Sequence, residues 1–323
     1  MIAMNLLPGI SVNMNLLQVF ILVAEHLSFK EAAERVGRSQ SAVSAQIKQL
    51  EDQLGVPLFY RTTRSVALTP YGEILLKSAR QGINELNLGF RRLFEAVDVH
   101  KGQVTLSCSP TIAGTRLPAI LKMFETQYSG VRVVLAELPL IKMTEAILAG
   151  DVDFGVGPVF PSSHNLEFEP VLEDPLMALV PSNFPAADKP FLTVDELAEM
   201  PVLMSTKTSV TRQIFEASAK KSSVSFITKY QCTQHQTLIA MAEAGLGIAV
   251  LPNTVASRIR TSGVRVIPLA NPRICRQVAI ITVRGQRLPP AASQLADLIR
   301  KKIDLPFESE VIHRGEVELE AAG

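Results

Sequence analysis

Short polar and basic side chains cluster between Ser39 and Leu54, in the segment SQSAVSAQIKQLEDQL. In a helix that begins after Ser39, apolar residues recur at helical spacing and form a buried face. The polar face then carries Gln40, Ser41, Ser44, Gln46 and Lys48. Amides and hydroxyls bind base edges and a lysine binds phosphate, so this pattern is typical of a helix that reads the major groove of double-stranded DNA. An ordinary surface helical hairpin is the alternative.

Two arginines follow this helix, Arg61 and Arg64, at the tip of an apolar-flanked segment (VPLFYRTTRSVAL). The pattern predicts a short β-hairpin, or wing, whose arginines contact phosphates or the minor groove. A solvated turn is the alternative. The whole chain has a formal net charge of only +1, but residues 35–64 carry five basic and two acidic side chains. A footprint on DNA can be that local.

A second group of polar residues follows predicted strands farther along the chain. Ser109 and Thr111 come after the strand Gln103–Cys108, at a helix start that favours an anion. Similar positions after later strands are held by Ser205, Thr206, Gln231, Thr233 and His235, and the apolar wall of such a cleft would come from Leu138, Phe154 and Met204. Thr111 is the strongest prediction for ligand contact. The alternatives are plain helix caps for the polar residues and core positions for the apolar ones.

Other chemistries find little support. The five histidines have no metal-ligand spacing, and we expect neither a metal nor a cofactor. No catalytic sequence motif, such as a nucleophile elbow or a triad, is present, so an enzyme is not expected. Cys108 and Cys232 are more typical of small buried hydrophobic residues than of a redox pair. No apolar run approaches a membrane span of roughly 18 residues. The cysteine usage fits a cytoplasmic protein.

The helix that begins after Ser39 and the wing together form the predicted reading head. Three further helices are needed to position it. A helix over 15–25 packs under a hairpin whose first helix is capped by Ser28 and stopped by Gly37. After the wing, Thr69-Pro70 opens a helix that extends to Val97. Its long apolar stripe predicts pairing with the same helix of a second copy, and a long core helix is the alternative.

The run from Leu16 to Leu93 resembles the DNA-binding and linker segments of the LysR-type transcriptional regulators. The phrases SFKEAAERVGRSQSAVSAQIKQLEDQLG and PLFYRTTRSVALTPYG carry the resemblance. It implies that the second helix of the motif enters the major groove and that wing arginines touch the DNA backbone. The expected partners are double-stranded DNA, a small-molecule effector, a second copy in a dimer or dimer of dimers and, as an option, RNA polymerase.

The remainder of the chain alternates strands and helices, which predicts parallel sheets with right-handed crossovers in two lobes. The fold class is therefore α+β and multidomain: a winged helix-turn-helix, a long linker helix and a two-lobed α/β effector-binding domain of the periplasmic-binding-protein type. The predicted bounds are a loose extension at 1–13, the DNA-binding domain at 14–72, the linker at 73–98, the effector domain at 102–303 and a tail at 304–323. Lobe 1 takes 102–172 and 269–303, and lobe 2 takes 173–268.

The function predicted is that of a transcriptional regulator that responds to an anionic or organic-acid effector between the lobes. A transporter's solute-binding protein and an enzyme on an α/β scaffold are the competing classes. The first is opposed by the helical hairpin and by an N-terminus that is poor as a secretory signal, and the second by the missing catalytic residues.

Overall fold

The computed structural model describes residues 4–7, 10–61, 66–97, 102–160 and 164–304. Two compact units result: one comprises the residues up to Arg91 with Ala149–Asp151, and the other comprises the rest from Arg92 onward. At the N-terminus, β1 (Met4–Leu7) pairs antiparallel with β2 (Ile10–Val12). Within the segment predicted as a loose extension, 1–13, the described residues 4–7 and 10–12 are thus strands.

Three helices build the core of the first unit: α1 (Met14–His26), α2 (Phe29–Val36) and α3 (Gln40–Leu54). Local capping sets these bounds. The Ser28 hydroxyl accepts a hydrogen bond from the Glu31 N–H, and Gly37 ends α2 with a left-handed φ of 63°. The fully buried side chains between the helices are Phe20, Val23, Ala32, Val43, Ile47 and Leu50.

The wing follows α3 and is tied to it. Strand β3 (Phe59–Arg61) pairs antiparallel with β4 (Val66–Leu68). One carboxylate oxygen of Glu51, in α3, accepts hydrogen bonds from the backbone N–H of Leu58 (2.8 Å) and of Phe59 (3.2 Å). The last turns of α3 therefore hold the start of the wing in a fixed position.

Helix α4 (Pro70–Val97) is 28 residues long and begins at Thr69, whose hydroxyl accepts the Gly72 N–H and donates to the Pro57 carbonyl. A Cβ on Gly72 would lie 2.2 Å from the Leu58 carbonyl oxygen, so only glycine fits this approach. Several large apolar side chains of α4 are exposed: Tyr71, Ile74, Leu86, Phe90, Leu93 and Phe94.

The second unit is built on strands β5 to β13 and helices α5 to α12. In chain order these are β5 (Gln103–Cys108), α5 (Pro110–Thr115), α6 (Leu117–Gln127), β6 (Arg132–Glu137), α7 (Leu140–Ala149), β7 (Phe154–Pro158), β8 (Leu166–Pro181), α8 (Val194–Ala198), β9 (Val202–Ser205), α9 (Val210–Lys221), β10 (Thr228–Cys232), α10 (His235–Glu243), β11 (Ile248–Pro252), α11 (Asn253–Ala256), β12 (Val264–Pro268), β13 (Cys275–Val283) and α12 (Pro290–Lys302).

The strands form a mixed sheet in the order β10-β9-β11-β8-β13-β7-β5-β6, with β12 beside β8. Strands β5, β6 and β7 are parallel, as are β9, β10 and β11. However, β13 runs antiparallel to β7 and β8, and β8 runs antiparallel to β11 and β12. The prediction of parallel sheets was thus wrong for the strands that join the lobes, because these strands carry the chain across and back without a helical crossover.

Strand β8 is shared by both lobes. Its residues from Leu166 to Pro175 pair with β13, and those from Leu176 to Pro181 pair with β11 and β12. In the second half, alternate residues enter two different cores. Leu176, Ala178 and Val180 pack in the core that contains Phe215, whereas Leu179 packs in the core that contains Leu238. One continuous strand therefore connects the two halves of the effector unit.

Candidate functional site

The first turn of α3 presents short polar side chains to solvent. Ser39 caps the helix by accepting the Ala42 N–H, and its hydroxyl lies 2.9 Å from that of Ser41. Gln40, Ser41 and Lys48 are exposed, and Ser44 is half-buried beside the core residue Val43. A surface made of hydroxyls, an amide and one ammonium group can approach a duplex closely, since few bulky groups hold the backbone away from it.

Gln46 does not share this face. It is half-buried, its side-chain oxygen is buried without a partner among the described residues, and it lines a groove of about 390 Å³ on the α1 side. The rest of the groove is formed by Asn15, Gln18, Val19, Ile21, Leu22, Val36, Arg38 and Ile83. The prediction that Gln46 continues the polar face was wrong, because its position falls one turn before the buried Leu50.

Arg61 and Arg64 were predicted at the wing tip. Arg61 is the last residue of β3 and is paired in register with Val66. Arg64 lies outside the described residues, which resume after the tip at Val66.

In the second unit, the polar side-chain atoms that are buried without a hydrogen-bond partner in the described part of the chain include the hydroxyls of Ser109 and Ser205 and Nε2 of His235. Ser109 precedes α5, Ser205 ends β9, and His235 begins α10. Each of these three therefore stands where a strand gives way to a helix, as the sequence predicted. Unpaired buried polar atoms are costly, so such atoms at strand ends are the expected mark of a ligand cleft.

Thr111 is buried and accepts a hydrogen bond from Arg276 Nη2 at 3.1 Å. Arg276 is itself buried and forms an ion pair with Asp174 at 2.8 Å. The same guanidinium lies 3.3 Å from the Thr254 hydroxyl and 3.4 Å from that of Thr211. Thr254 also donates to Asp174 at 2.8 Å and its N–H binds the other carboxylate oxygen.

His235 belongs to the same electrostatic environment. Burial lowers the pKa of His235 to about 4, the positive charge of Arg276 contributes to the lowering, and Asp174 opposes the shift. The imidazole is therefore neutral at pH 7, and its buried Nε2 is available to donate or to accept one hydrogen bond, according to the tautomer.

The other predicted cleft residues divide into two groups. Thr206 is half-buried with its hydroxyl 3.1 Å from that of Thr208, Gln231 and Thr233 are exposed, and the Gln231 side-chain oxygen accepts from Arg212. Leu138 is half-buried just after the end of β6. Phe154 and Met204 are 0% and 1% exposed in two apolar cores, so they are core residues and not the cleft wall that the sequence predicted.

The thiol of Cys108 is poorly placed for redox chemistry. Burial raises the pKa of Cys108 far above its ordinary value, so this residue stays a protonated thiol. Cys232 Sγ lies 3.7 Å from the thioether of Met241. Burial also raises the pKa of Cys275. Cys108 is therefore in the environment of an inert cysteine, whereas Cys232 and Cys275 are half-buried.

Four residues of this cluster were not predicted from the sequence: Asp174, Arg276, Thr211 and Thr254. One signal was present: Arg276 is the one charged residue near the start of a largely apolar strand (CRQVAIITV), and Asp174 stands next to a proline at the start of another apolar stretch. An isolated charge in such a strand needs a buried partner. The pairing itself joins residues far apart in the chain, so it could not be read from local spacing.

Among the described residues, no group of three or more metal-ligating side chains comes together, and none of the helices is long and apolar enough to cross a membrane.

Two family models match this chain. The family described as "LysR substrate binding domain" matches residues 98–304, and "Bacterial regulatory helix-turn-helix protein, lysR family" matches residues 14–73. The chain belongs to the LysR family of transcriptional regulators. The resemblance seen in the sequence is confirmed, as is the fold: a helix-turn-helix domain followed by an α/β effector-binding domain. It is a DNA-binding regulator of the LysR type, in a family of transcription factors rather than enzymes.

Relatives and solved structures agree over most of the chain. The uncharacterised HTH-type regulator YfeR of Shigella flexneri is 30% identical over 88% of this chain and 92% of its own length. OxyR, the dual regulator of Escherichia coli K12, is 27% identical over 92% of this chain and 97% of its own. A full-length OxyR variant from Pseudomonas aeruginosa superposes with a TM-score of 0.73 at 23% identity, covering 90% of this chain and 95% of that one.

Proposed function

We propose that this LysR-type regulator reads its operator through the N-terminal turns of α3, with Gln40, Ser41 and Ser44 facing base edges and Lys48 binding phosphate. The exposed, capped face of α3 is the observation that carries this proposal. Glu51 supports this proposal, because its carboxylate fixes the wing beside α3, so that α3 and the wing form one contact surface. Gln46 has no part in base reading, since it faces the groove on the α1 side. Arg61 and Arg64 are proposed to contact the DNA backbone from the wing.

The test is a gel-shift series on a duplex selected from random DNA by the purified protein. Gln40→Ala should weaken binding to the selected duplex by about 1–3 kcal/mol and relax its sequence choice. Gln53→Ala is the matched control, because Gln53 is the same residue type, exposed at the far end of the same helix. Equal losses in both variants would refute the assignment of the reading turn.

Lys48 offers a second readout that separates phosphate contacts from base contacts. For a phosphate contact, Lys48→Ala should weaken binding to all sequences alike and reduce the salt slope, log K against log salt, by about one unit. An unchanged slope would remove Lys48 from the interface.

We further propose that the cleft around Ser109, Thr111, Ser205, Thr206 and His235 binds a small polar effector, an organic acid or a molecule of similar oxygen chemistry. Buried hydroxyls with no partner among the described residues support this proposal. Gln231 and Thr233 lie exposed at the end of β10. In lobe 1, the N–H of Leu138 donates to the carbonyl of Cys108, the residue before Ser109. The domains proposed are the DNA-binding domain at 14–72, the linker helix at 73–98 and the effector-binding domain at 102–303, in which lobe 2 takes 173–268.

The effector response is proposed to be non-covalent. Some relatives are named hydrogen peroxide-inducible genes activators, and that name describes those proteins. In this chain Cys108 is sealed in the core, with its pKa raised by burial, and Cys232 contacts Met241. Cys108 therefore presents no thiolate to an oxidant.

A second copy of the chain is the proposed partner of α4. Its exposed large side chains Ile74, Leu86, Phe90, Leu93 and Phe94 are unusual for a surface in water, and burying them against another α4 would give a dimer able to place two heads on DNA. A dimer of dimers acting on DNA in the cytoplasm is the assembly proposed.

A further inference from the structure

One ion pair lies where β8 passes from one lobe to the other. Asp174 on β8 and Arg276 on β13 are partners in register, at the last pairs before β8 turns to β11 and β12. Their side chains are 1% and 4% exposed, and Arg276 binds one carboxylate oxygen through both Nε (2.9 Å) and Nη2 (2.8 Å). A buried charge of either sign is tolerated here only because the other is present.

The guanidinium contacts both lobes. Its lobe 1 partner is Thr111 at 3.1 Å, in the helix that follows β5. Its lobe 2 partners are Thr211 in α9 and Thr254 in α11, at 3.4 and 3.3 Å. A second arginine, Arg258, also crosses, donating to the Thr115 carbonyl at 2.7 Å. The side chain of Arg276 thus contacts one helix of lobe 1, α5, and two helices of lobe 2, α9 and α11.

The direction of these hydrogen bonds is fixed by chemistry. A guanidinium has only donors, so the Thr111 oxygen must be the acceptor in its bond with Arg276. The Thr111 hydroxyl proton then has to point elsewhere, and within the described part of the chain no acceptor receives it. Thr254 differs, because its hydroxyl proton is donated to Asp174 at 2.8 Å. Thr111 is therefore left as a donor, next to the unpartnered Ser109 hydroxyl.

We propose that Arg276 is a positioning residue of the effector cleft: held by Asp174, it makes Thr111 present a proton to the ligand, so the effector must place an acceptor oxygen there. This inference rests on the proposed effector cleft and specifies the ligand that suits it: a carboxylate or carbonyl oxygen rather than an ammonium group. An acceptor that takes the Thr111 proton makes the Thr111 oxygen a better acceptor for Arg276. Ligand binding in lobe 1 thereby strengthens a connection that reaches lobe 2.

The test uses the full chain with ¹³C-methyl-labelled threonine and two small probes, acetate and methylammonium. The Thr111 methyl signal is assigned by its loss in Thr111→Ser. Acetate in the millimolar range, compared with the same concentration of chloride, should shift the Thr111 signal, and methylammonium should not. Absence of an acetate shift at Thr111, or an equal shift with methylammonium, would overturn the proposal.

The double variant Asp174→Asn/Arg276→Met tests the role of the guanidinium. The double variant removes both charges together, so no unpaired charge is buried. The asparagine introduced on β8 still offers an acceptor to the Thr254 N–H. With Arg276 gone, Thr111 can accept as well as donate, and the preference for acetate over methylammonium should fall about tenfold. A purely structural role would lower stability and leave this preference unchanged, which is the contrary result.

Two further variants keep the test decisive. Arg276→Lys retains a donor beside Thr111 and should keep the acetate preference even if the double variant does not fold; loss of the preference in a folded Arg276→Lys protein would contradict the proposal. Arg300→Gln is the control, because it breaks an arginine–carboxylate pair, with Glu169, that lies within lobe 1. Gel shifts on the same samples report DNA binding separately, so a failed acetate titration does not bear on the reading head.

Discussion

The acid sensitivity of the effector unit should depend on His235. Its pKa is about 4 in the folded protein and about 6.5 when unfolded, because burial and Arg276 disfavour the imidazolium. Below pH 6.5 the unfolded chain binds the extra proton and the folded one does not. Stability is therefore complete above pH 6.5 and is lost as the pH falls toward 4. At pH 5 the loss from this group amounts to about 2 kcal/mol relative to pH 7.

The assay is urea unfolding of the full chain at a series of pH values, read by hydrogen exchange and mass spectrometry so that peptides of the effector unit are followed separately. His235→Gln keeps a neutral polar side chain and should remove about 2 kcal/mol of the pH dependence between pH 7 and 5. His164→Gln, at an exposed site, serves as the control. An identical pH dependence in His235→Gln and the native protein would refute the reasoning.

Four other outcomes are expected. Gly72→Ala should destabilise the first unit by about 1–3 kcal/mol, because a Cβ would collide with the Leu58 carbonyl, and urea unfolding measures it. Glu51→Ala should leave two wing N–H groups without their acceptor and cost about 1–3 kcal/mol of stability, with weaker DNA binding in gel shifts. Ile74→Asp with Phe90→Asp should shift the protein toward monomer in analytical ultracentrifugation, whereas Gln81→Asp should not. Treatment with hydrogen peroxide should leave operator affinity unchanged, since Cys108 is buried with a raised pKa.

Two of these outcomes have clear contrary results. A Gly72→Ala protein as stable as the native one would mean that the Leu58 backbone can move aside. If peroxide changed the operator affinity, and replacing Cys232 or Cys275 with Ser abolished that change, the response would be a thiol oxidation and the proposal of a non-covalent response would be wrong.

The reading head was predictable because its signals are local. Ser28 and Ser39 cap helices, Gly37 and Gly55 end them in the left-handed region, and all four stand within a few residues of the elements they bound. The exception is Gln46, whose side chain lies on the edge between the polar and buried faces of α3. Helical spacing alone cannot decide such a flank, because packing against α1 determines it.

The effector unit was predictable only in part. The positions of Thr111, Ser205 and His235 were predictable because strand ends and helix starts can be read from the sequence, and their contact with an effector stays a prediction. Phe154 and Met204 were placed wrongly, since an apolar residue near a cleft is not distinguishable by type from one in the core. The direction of β13 and the Asp174–Arg276 pair depend on which distant strands meet, and a single sequence does not contain that information.

Strand β8 also restricts how the chain can change in length. Its second half places Leu176, Ala178 and Val180 in one core and Leu179 in the other. One inserted or deleted residue after Asp174 would turn every later side chain of the strand to the opposite side. Length variation among functional descendants of this sequence should therefore avoid 174–181 and accumulate in the connecting segments between helices.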